Sequence, residues 1–229
     1  MHIDSRRVCS NQSQPHTNLA SLVRRHLTHR HRKPVAPHSR AAFSALRAAL
    51  DARPLPLVLD SFCGTGRSTA ALAQRHPGHL VVGVDKSAHR LAKHERNAAD
   101  NYLLLQADCE DIWQLLLSAG MSVDYHYLLY PNPWPKSRHL QRRVHGSATF
   151  PWLLRLGGII ELRSNWRIYV EEFGLAIKLA GYAGNVFCLP REAPLTLFEE
   201  KYQHSGHSLW ACVVDTSKTL QSDDSQVLG

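Results

Sequence analysis

Short apolar runs and longer amphipathic segments take turns along most of this chain. LPLVLD (55–60) is followed by RSTAALAQRH (67–76), HLVVGVD (79–85) by SAHRLAKHERNA (87–98), and YLLLQAD (102–108) by a segment near 110–119. VDYHYLLY (123–130) and GGIIELRS (157–164) continue the series, with a helical stretch across roughly 166–180. Continuous apolar runs bounded by turn signals suit strands buried on both faces, and the intervening segments suit helices that cover those faces. Two further strands, near 183–189 and 207–214, bring the total to seven. This alternation predicts an α/β fold with a seven-stranded, mostly parallel sheet and helices on both faces.

The two ends read differently. Residues 1–38 are polar and basic, an arm with one short helix around Leu19–Leu27. Residues 39–52 (SRAAFSALRAALDA) place Phe43, Leu46 and Leu50 at helical spacing behind Ser39 as an N-cap, opening a main domain over 39–215. Ser87 is the expected cap of the helix after the second strand, and the polar tail 216–229 is expected to be disordered. Charge then sharpens the arm. Residues 1–50 hold nine Lys or Arg and one acid, so this stretch accounts for the formal net charge of +8. A basic arm on a near-neutral body fits either a polyanionic partner or a solubilising tail, and a second cationic cluster at 136–143 favours the partner, most simply nucleic acid.

Several classes are excluded. No apolar stretch reaches the roughly twenty residues of a membrane span, and the first residues lack the apolar core of a secretory signal. Five cysteines form no C-x-x-C pair and leave one over, which points to a reduced, cytoplasmic protein and away from a disulfide framework or zinc site. The histidines show no metal-ligand spacing.

Ligands of open α/β sheets sit beyond the carboxyl ends of the strands. The first such end, LDSFCGTGRST, carries Asp60, then Gly64 and Gly66, which let the backbone approach a ligand. The second ends at Asp85, suited to accept from the two hydroxyls of a ribose, and the third at Asp108, suited to an adenine edge. A dinucleotide site would want a third glycine, and Asp60 would repel a pyrophosphate. Three acids at three strand ends favour S-adenosyl-L-methionine, whose ammonium suits Asp60 through backbone or water. Each acid alone would be an ordinary helix cap. Cys63 beside the loop reads as a small buried residue.

At the fourth strand end stands LLYPNPWPKSRHLQRR (128–143), whose prolines forbid strand pairing and impose a stiff loop around Asn132. PNPWPKSRHLQRR resembles the PDPWPK-x-x-H-x-x-R-R signature of the bacterial tRNA (guanine-N7)-methyltransferases. The resemblance spans most of residues 58–210, including SNWRIYVEEF (164–173) and TLFEEKYQHSGHSLW (196–210). It implies a Rossmann-like class I methyltransferase fold, S-adenosyl-L-methionine held at Asp60, Asp85 and Asp108, and an RNA partner, tRNA. Asn132 would occupy the position of the family's proposed catalytic Asp. Lys136, Asn165, Thr196 and Glu199 would contact the substrate nucleotide.

Both Asn132 and Asn165 stand where the family carries Asp. Guanine N7 has a free lone pair, so its methylation needs no general base, and holding it in place can contribute on the order of 7–11 kcal/mol. An Asn offers one acceptor and one donor where a carboxylate offers two acceptors. It also resembles the Asn of amino-group methyltransferases, so methylation of another nucleobase or a small molecule stays open, as does an RNA-binding pseudoenzyme. Arg138, His139, Arg142 and Arg143 suit phosphate contact if a helix gathers them, or a solvated loop if it does not. Trp134 suits base stacking or core packing equally.

Overall fold

The computed structural model describes residues 5, 7–96 and 98–220. Seven strands form one sheet: β1 (Leu57–Ser61), β2 (Leu80–Asp85), β3 (Tyr102–Gln106), β4 (Tyr125–Leu129), β5 (Ile159–Ser164), β6 (Tyr182–Cys188) and β7 (Trp210–Thr219). Their order is β3-β2-β1-β4-β5-β7-β6, with β7 antiparallel to both of its neighbours and the rest parallel. Strands β1 and β2 are buried throughout, as expected where helices cover both faces of a parallel sheet. The order in which strands are laid down reverses between the parallel neighbours β1 and β4, which opens the crevice where such sheets bind ligands.

The period-2 alternation divides β1 between two apolar clusters. Leu57 and Leu59 face the larger one, with Leu46 of α2 (Pro37–Ala52), Trp113 of α5 (Cys109–Ser118), Leu153 of α6 (Phe150–Arg155) and Phe173 of α7 (Arg167–Leu179). Val58 faces the smaller one, with Leu72 and Ala73 of α3 (Arg67–Arg75). No described helix is long and apolar enough to cross a membrane.

Four sequence expectations change. The basic segment is packed against the body: α1 (Leu19–Thr28) buries Leu19, Leu22 and Val23, spaced i, i+3, i+4, in the main core. Its connector to α2 is tied down by Asp111, which pairs with Lys33 at 2.8 Å and accepts from Ala36 N at 3.0 Å. Helix α2 starts at Pro37, whose missing N–H costs nothing at a first turn, and Ser39 is buried, its Oγ accepting from Asp108 N at 3.3 Å. The expected 87–98 helix is only α4 (Ala88–Leu91), capped by Ser87. It stops because the ring of His94 is held between Thr65 O at 2.9 Å and the Tyr102 hydroxyl at 2.8 Å. Finally, β7 runs through residues 216–219 of the expected tail, paired with β6 at Tyr182–Thr219; residues 221–229 lie outside the described residues.

His126 of β4 is fully buried, its Nε2 2.8 Å from Ser61 Oγ, which also accepts from Trp113 Nε1 at 3.0 Å. Burial pushes its pKa down to about 3. An unfolded histidine takes a proton near pH 6.5 that the folded one refuses, so stability falls as pH drops from about 6.5 toward 3, by about 1.4 kcal/mol per unit. In thermal melts between pH 6.5 and 4, a His126→Asn variant is expected to lose stability less steeply than wild type. Equal slopes would rule out this role.

Candidate active site

The turn after β1 is built from left-handed backbone. Phe62 (φ 66°), Gly64 (φ 63°) and Gly66 (φ 77°) alternate with ordinary residues and lead into α3. A side chain at Gly66 would be strained at this φ and would also have to displace the Leu104 methyls, 2.7 Å away. Asp60 lies beneath this turn, fully buried, where one carboxylate oxygen accepts from the hydroxyls of Ser68 and Thr69 at 2.7 Å each. Its carboxylate therefore fastens the turn to α3 and does not line the cavity, so any part in holding a ligand runs through backbone or water, as expected from the sequence. Burial raises its pKa to about 6, so Asp60 favours folding less as pH climbs from about 4 to 6, opposite in sign to His126.

A cavity of about 420 Å³ opens over the ends of β1 to β4. Asp85, Asp108 and Asn132 all line it, joined by Phe62, Cys109 and Trp113. Asp85 accepts from Gly64 N at 3.0 Å and Ser87 N at 2.8 Å, and pairs with Arg90 at 2.9 Å. Asp108 stands at the N-terminus of α5 with no side-chain capping bond and is partly exposed. The thiols of Cys63 and Cys109 are pushed well above their ordinary range by burial, which suits packing and not nucleophilic attack. Acceptors at two strand ends with flat apolar walls between them fit a nucleoside: hydroxyls can meet Asp85 and an amine can meet Asp108.

The loop after β4 is strained. Tyr130 (φ 55°) and Trp134 (φ 46°) adopt left-handed backbone, and with Phe62 they are the three described non-glycine residues that do; all three line the cavity. Such conformations cost roughly 1–3 kcal/mol each and persist where the surroundings enforce them. Between the two, exposed Asn132 accepts from Trp134 N through Oδ1 at 3.3 Å. The side-chain oxygen keeps a second lone pair, so both Oδ1 and Nδ2 can meet a ligand. Trp134 is half-buried at the cavity, with the Arg142 guanidinium 4.8 Å over its ring and His139 against its edge at 5.5 Å.

The cationic run forms a 3-10 helix, Ser137–Arg142. Lys136, Arg138 and Arg142 are exposed. Arg143 is not: it is fully buried, paired with Glu172 of α7 at 2.5 Å, and donates to Trp134 O at 3.2 and 3.3 Å. The expected phosphate contact is corrected to a strut behind the loop. Glu172 also meets His145 Nε2 at 2.9 Å, Gln12 Nε2 at 3.1 Å and His16 N at 2.9 Å, so it joins the N-terminal segment to the active-site loop. Between α1 and the 3-10 helix runs a groove of about 450 Å³ bordered by His16, Arg25 and Arg138; Gln141 lines both groove and cavity.

Three expected substrate contacts are used otherwise. Asn165 follows β5, with Nδ2 3.3 Å from His207 Nδ1, and does not line the cavity. Thr196 caps α8 (Leu197–His204), its Oγ1 accepting from Glu199 N at 2.9 Å. Glu199 is buried, pairing with Arg163 at 2.9 Å and accepting from Leu195 N at 3.0 Å. T-x-x-E is the sequence pattern of a capping box, which was the available signal. With Glu199 turned inward, Leu197 and Phe198 are half exposed, and Phe198 lines the cavity. Arg90 and Gln141 were also missed; neither carries a local signal, because their place depends on folding.

The fold, the strand-end acceptors and the strained loop define a class I S-adenosyl-L-methionine-dependent methyltransferase. A family model described as "Putative methyltransferase" matches residues 54–212. The chain is 31% identical to a tRNA (guanine-N(7)-)-methyltransferase of Leifsonia xyli, over 71% of this chain and 77% of that one. It is 28% identical to the enzyme of that name from Pectobacterium atrosepticum, over 74% and 76%. The chain belongs to the tRNA (guanine-N(7)-)-methyltransferase family. In fold it is similar to the 16S rRNA methyltransferase KamB, with a TM-score of 0.54, 22% identity, and coverage of 80% of this chain and 95% of that one.

Proposed function

We propose that this enzyme methylates N7 of guanine in tRNA, in the cytoplasm, where its five free cysteines would stay reduced. The observation that carries the choice of base is the kinship with tRNA (guanine-N(7)-)-methyltransferases, and Asn132 in the cavity wall offers a donor compatible with it. A donor there complements guanine O6, the acceptor beside N7. The names of the relatives favour the same substrate.

Bound S-adenosyl-L-methionine supplies an electrophilic methyl group. Asp85 accepts from its ribose hydroxyls and Asp108 from its adenine, while Gly64 keeps the turn close enough for backbone contact. Guanine N7 carries no proton, so the protein has only to orient the base: Asn132 fixes O6, and Trp134 and Phe198 offer aromatic faces. Lys136, Arg138 and Arg142 hold phosphate, and the groove shared through Gln141 continues the track toward Arg25.

Purified protein incubated with methyl-labelled cofactor and total tRNA is expected to yield labelled N7-methylguanosine. Labelled N6-methyladenosine, or no label, would refute the proposal. Asn132→Ala is expected to lower kcat/KM by about 10- to 100-fold, roughly 1.4–2.7 kcal/mol, with cofactor affinity unchanged.

A further inference from the structure

A second basic pocket lies away from the methyl-transfer cavity. Its volume is about 250 Å³, and Arg30, Arg32 and Arg155 border it together with His31, Gln114 and Trp152. No acid lines it, and among the described residues these three arginines form no ion pair. Some exposed arginines find acids, as Arg67 does in Glu200 and Arg167 in Glu171, whereas here three without one border a single pocket. Three like charges around one pocket repel one another, and an anion seated among them removes that cost.

The pocket is held in shape. The connector between α1 and α2 carries Arg30 and Arg32 and is fixed just beyond them by Lys33 and Ala36 N, both bound to the buried Asp111. His31 packs against Trp152 with ring centroids 5.5 Å apart. Trp152 is only 7% exposed, so it offers no open face for stacking a base. The chemistry is that of guanidinium forks without a base platform, which suits phosphate and not a nucleobase.

We propose that this pocket binds a backbone phosphate of the RNA substrate, a contact that rests on the tRNA reading above. Helices α5 and α6 carry both sites. Cys109 and Thr149 line the cavity at their starts, and Leu117 and Arg155 line the pocket at their ends. Cys109 and Leu117 stand roughly 12 Å apart along α5 at 1.5 Å per residue. One RNA can therefore place a base in the cavity and a phosphate in the pocket. Arg30 and Arg32 lie outside the 54–212 region matched by the family model, so this chain's own N-terminal segment builds much of the site.

The test compares Arg30→Gln/Arg32→Gln/Arg155→Gln with a control of equal charge change, Arg47→Gln/Arg75→Gln/Arg191→Gln. Binding of fluorescently labelled tRNA is titrated over a range of salt concentrations, alongside cofactor titration and thermal shift with inorganic phosphate. The pocket variant is expected to lose about 10-fold in tRNA affinity and to flatten the log-affinity against log-salt slope by about one. Cofactor affinity is expected to be unchanged and the control near wild type. A pocket variant that matches the control overturns the proposal. Loss of phosphate-induced stabilisation with tRNA binding intact also overturns it, assigning the pocket to free phosphate. If wild type binds and methylates tRNA while the variant is unaffected, only this inference fails; if wild type binds no tRNA, the substrate reading fails with it.

Discussion

Replacing Asp85 with alanine is expected to weaken S-adenosyl-L-methionine binding by on the order of 100-fold or more, about 2.7 kcal/mol. The carboxylate serves both sides of the site. Inward, it fixes Gly64 N at 3.0 Å and Ser87 N at 2.8 Å and balances Arg90 at 2.9 Å. Outward, it is the acceptor proposed for the ribose hydroxyls. Alanine removes those acceptors, releases the glycine turn and leaves the Arg90 cation in the cavity wall. The lost Arg90 pair adds little, because that guanidinium is well exposed to water. Isothermal titration reads the affinity, and circular dichroism checks that the sheet persists. Asp85→Asn keeps one acceptor and is expected to fall between the two. Wild-type affinity in the alanine variant would remove Asp85 from the cofactor site.

Glu172→Leu is expected to destabilise the protein by about 3–5 kcal/mol, because it strands a buried guanidinium. Arg143 and Glu172 are both fully buried, and the same carboxylate holds His145, Gln12 and His16 N. At about 2–4 °C per kcal/mol for a chain of this size, the melting temperature should drop by about 10 °C. The double variant Glu172→Leu/Arg143→Leu removes both charges and is expected to recover much of that loss. It should not recover full turnover, because Arg143 also braces Trp134 O behind the active-site loop. Hydrogen bonds and charge from His145, then from Arg143, outweigh desolvation and lower the Glu172 pKa to about 2. This contribution is complete above the ordinary carboxylate range and fades as pH falls from about 4.5 toward 2. If the single and double variants melted together, the pair would not be the source of the stability.

The outline of the fold was legible because burial on both faces writes continuous apolar runs, and β1 to β5 all lie where those runs predict. Asp85 and Asp108 were legible for a related reason: a polar residue that ends a buried run must sit at a sheet edge, and both line the cavity. Local chemistry also read the stiff turn around Asn132 correctly. It misread Arg143 and Glu199, since a charge in a sequence looks solvated until its partner, Glu172 or Arg163, arrives from a distant element. The helix beginning at Ala88 failed for the same kind of reason, the two hydrogen bonds of His94 to Thr65 and Tyr102 outcompeting its propensity.

The sequence by itself determined the sheet, the ligand end of that sheet and the unusual carboxamide at position 132, because each follows from neighbours along the chain. Tertiary structure alone decided which cations are struts and which face solvent. It also brought Arg30 and Arg32 beside Arg155. Those outcomes depend on hydrogen bonds and ion pairs between segments far apart in sequence, and only the folded chain brings their partners within reach.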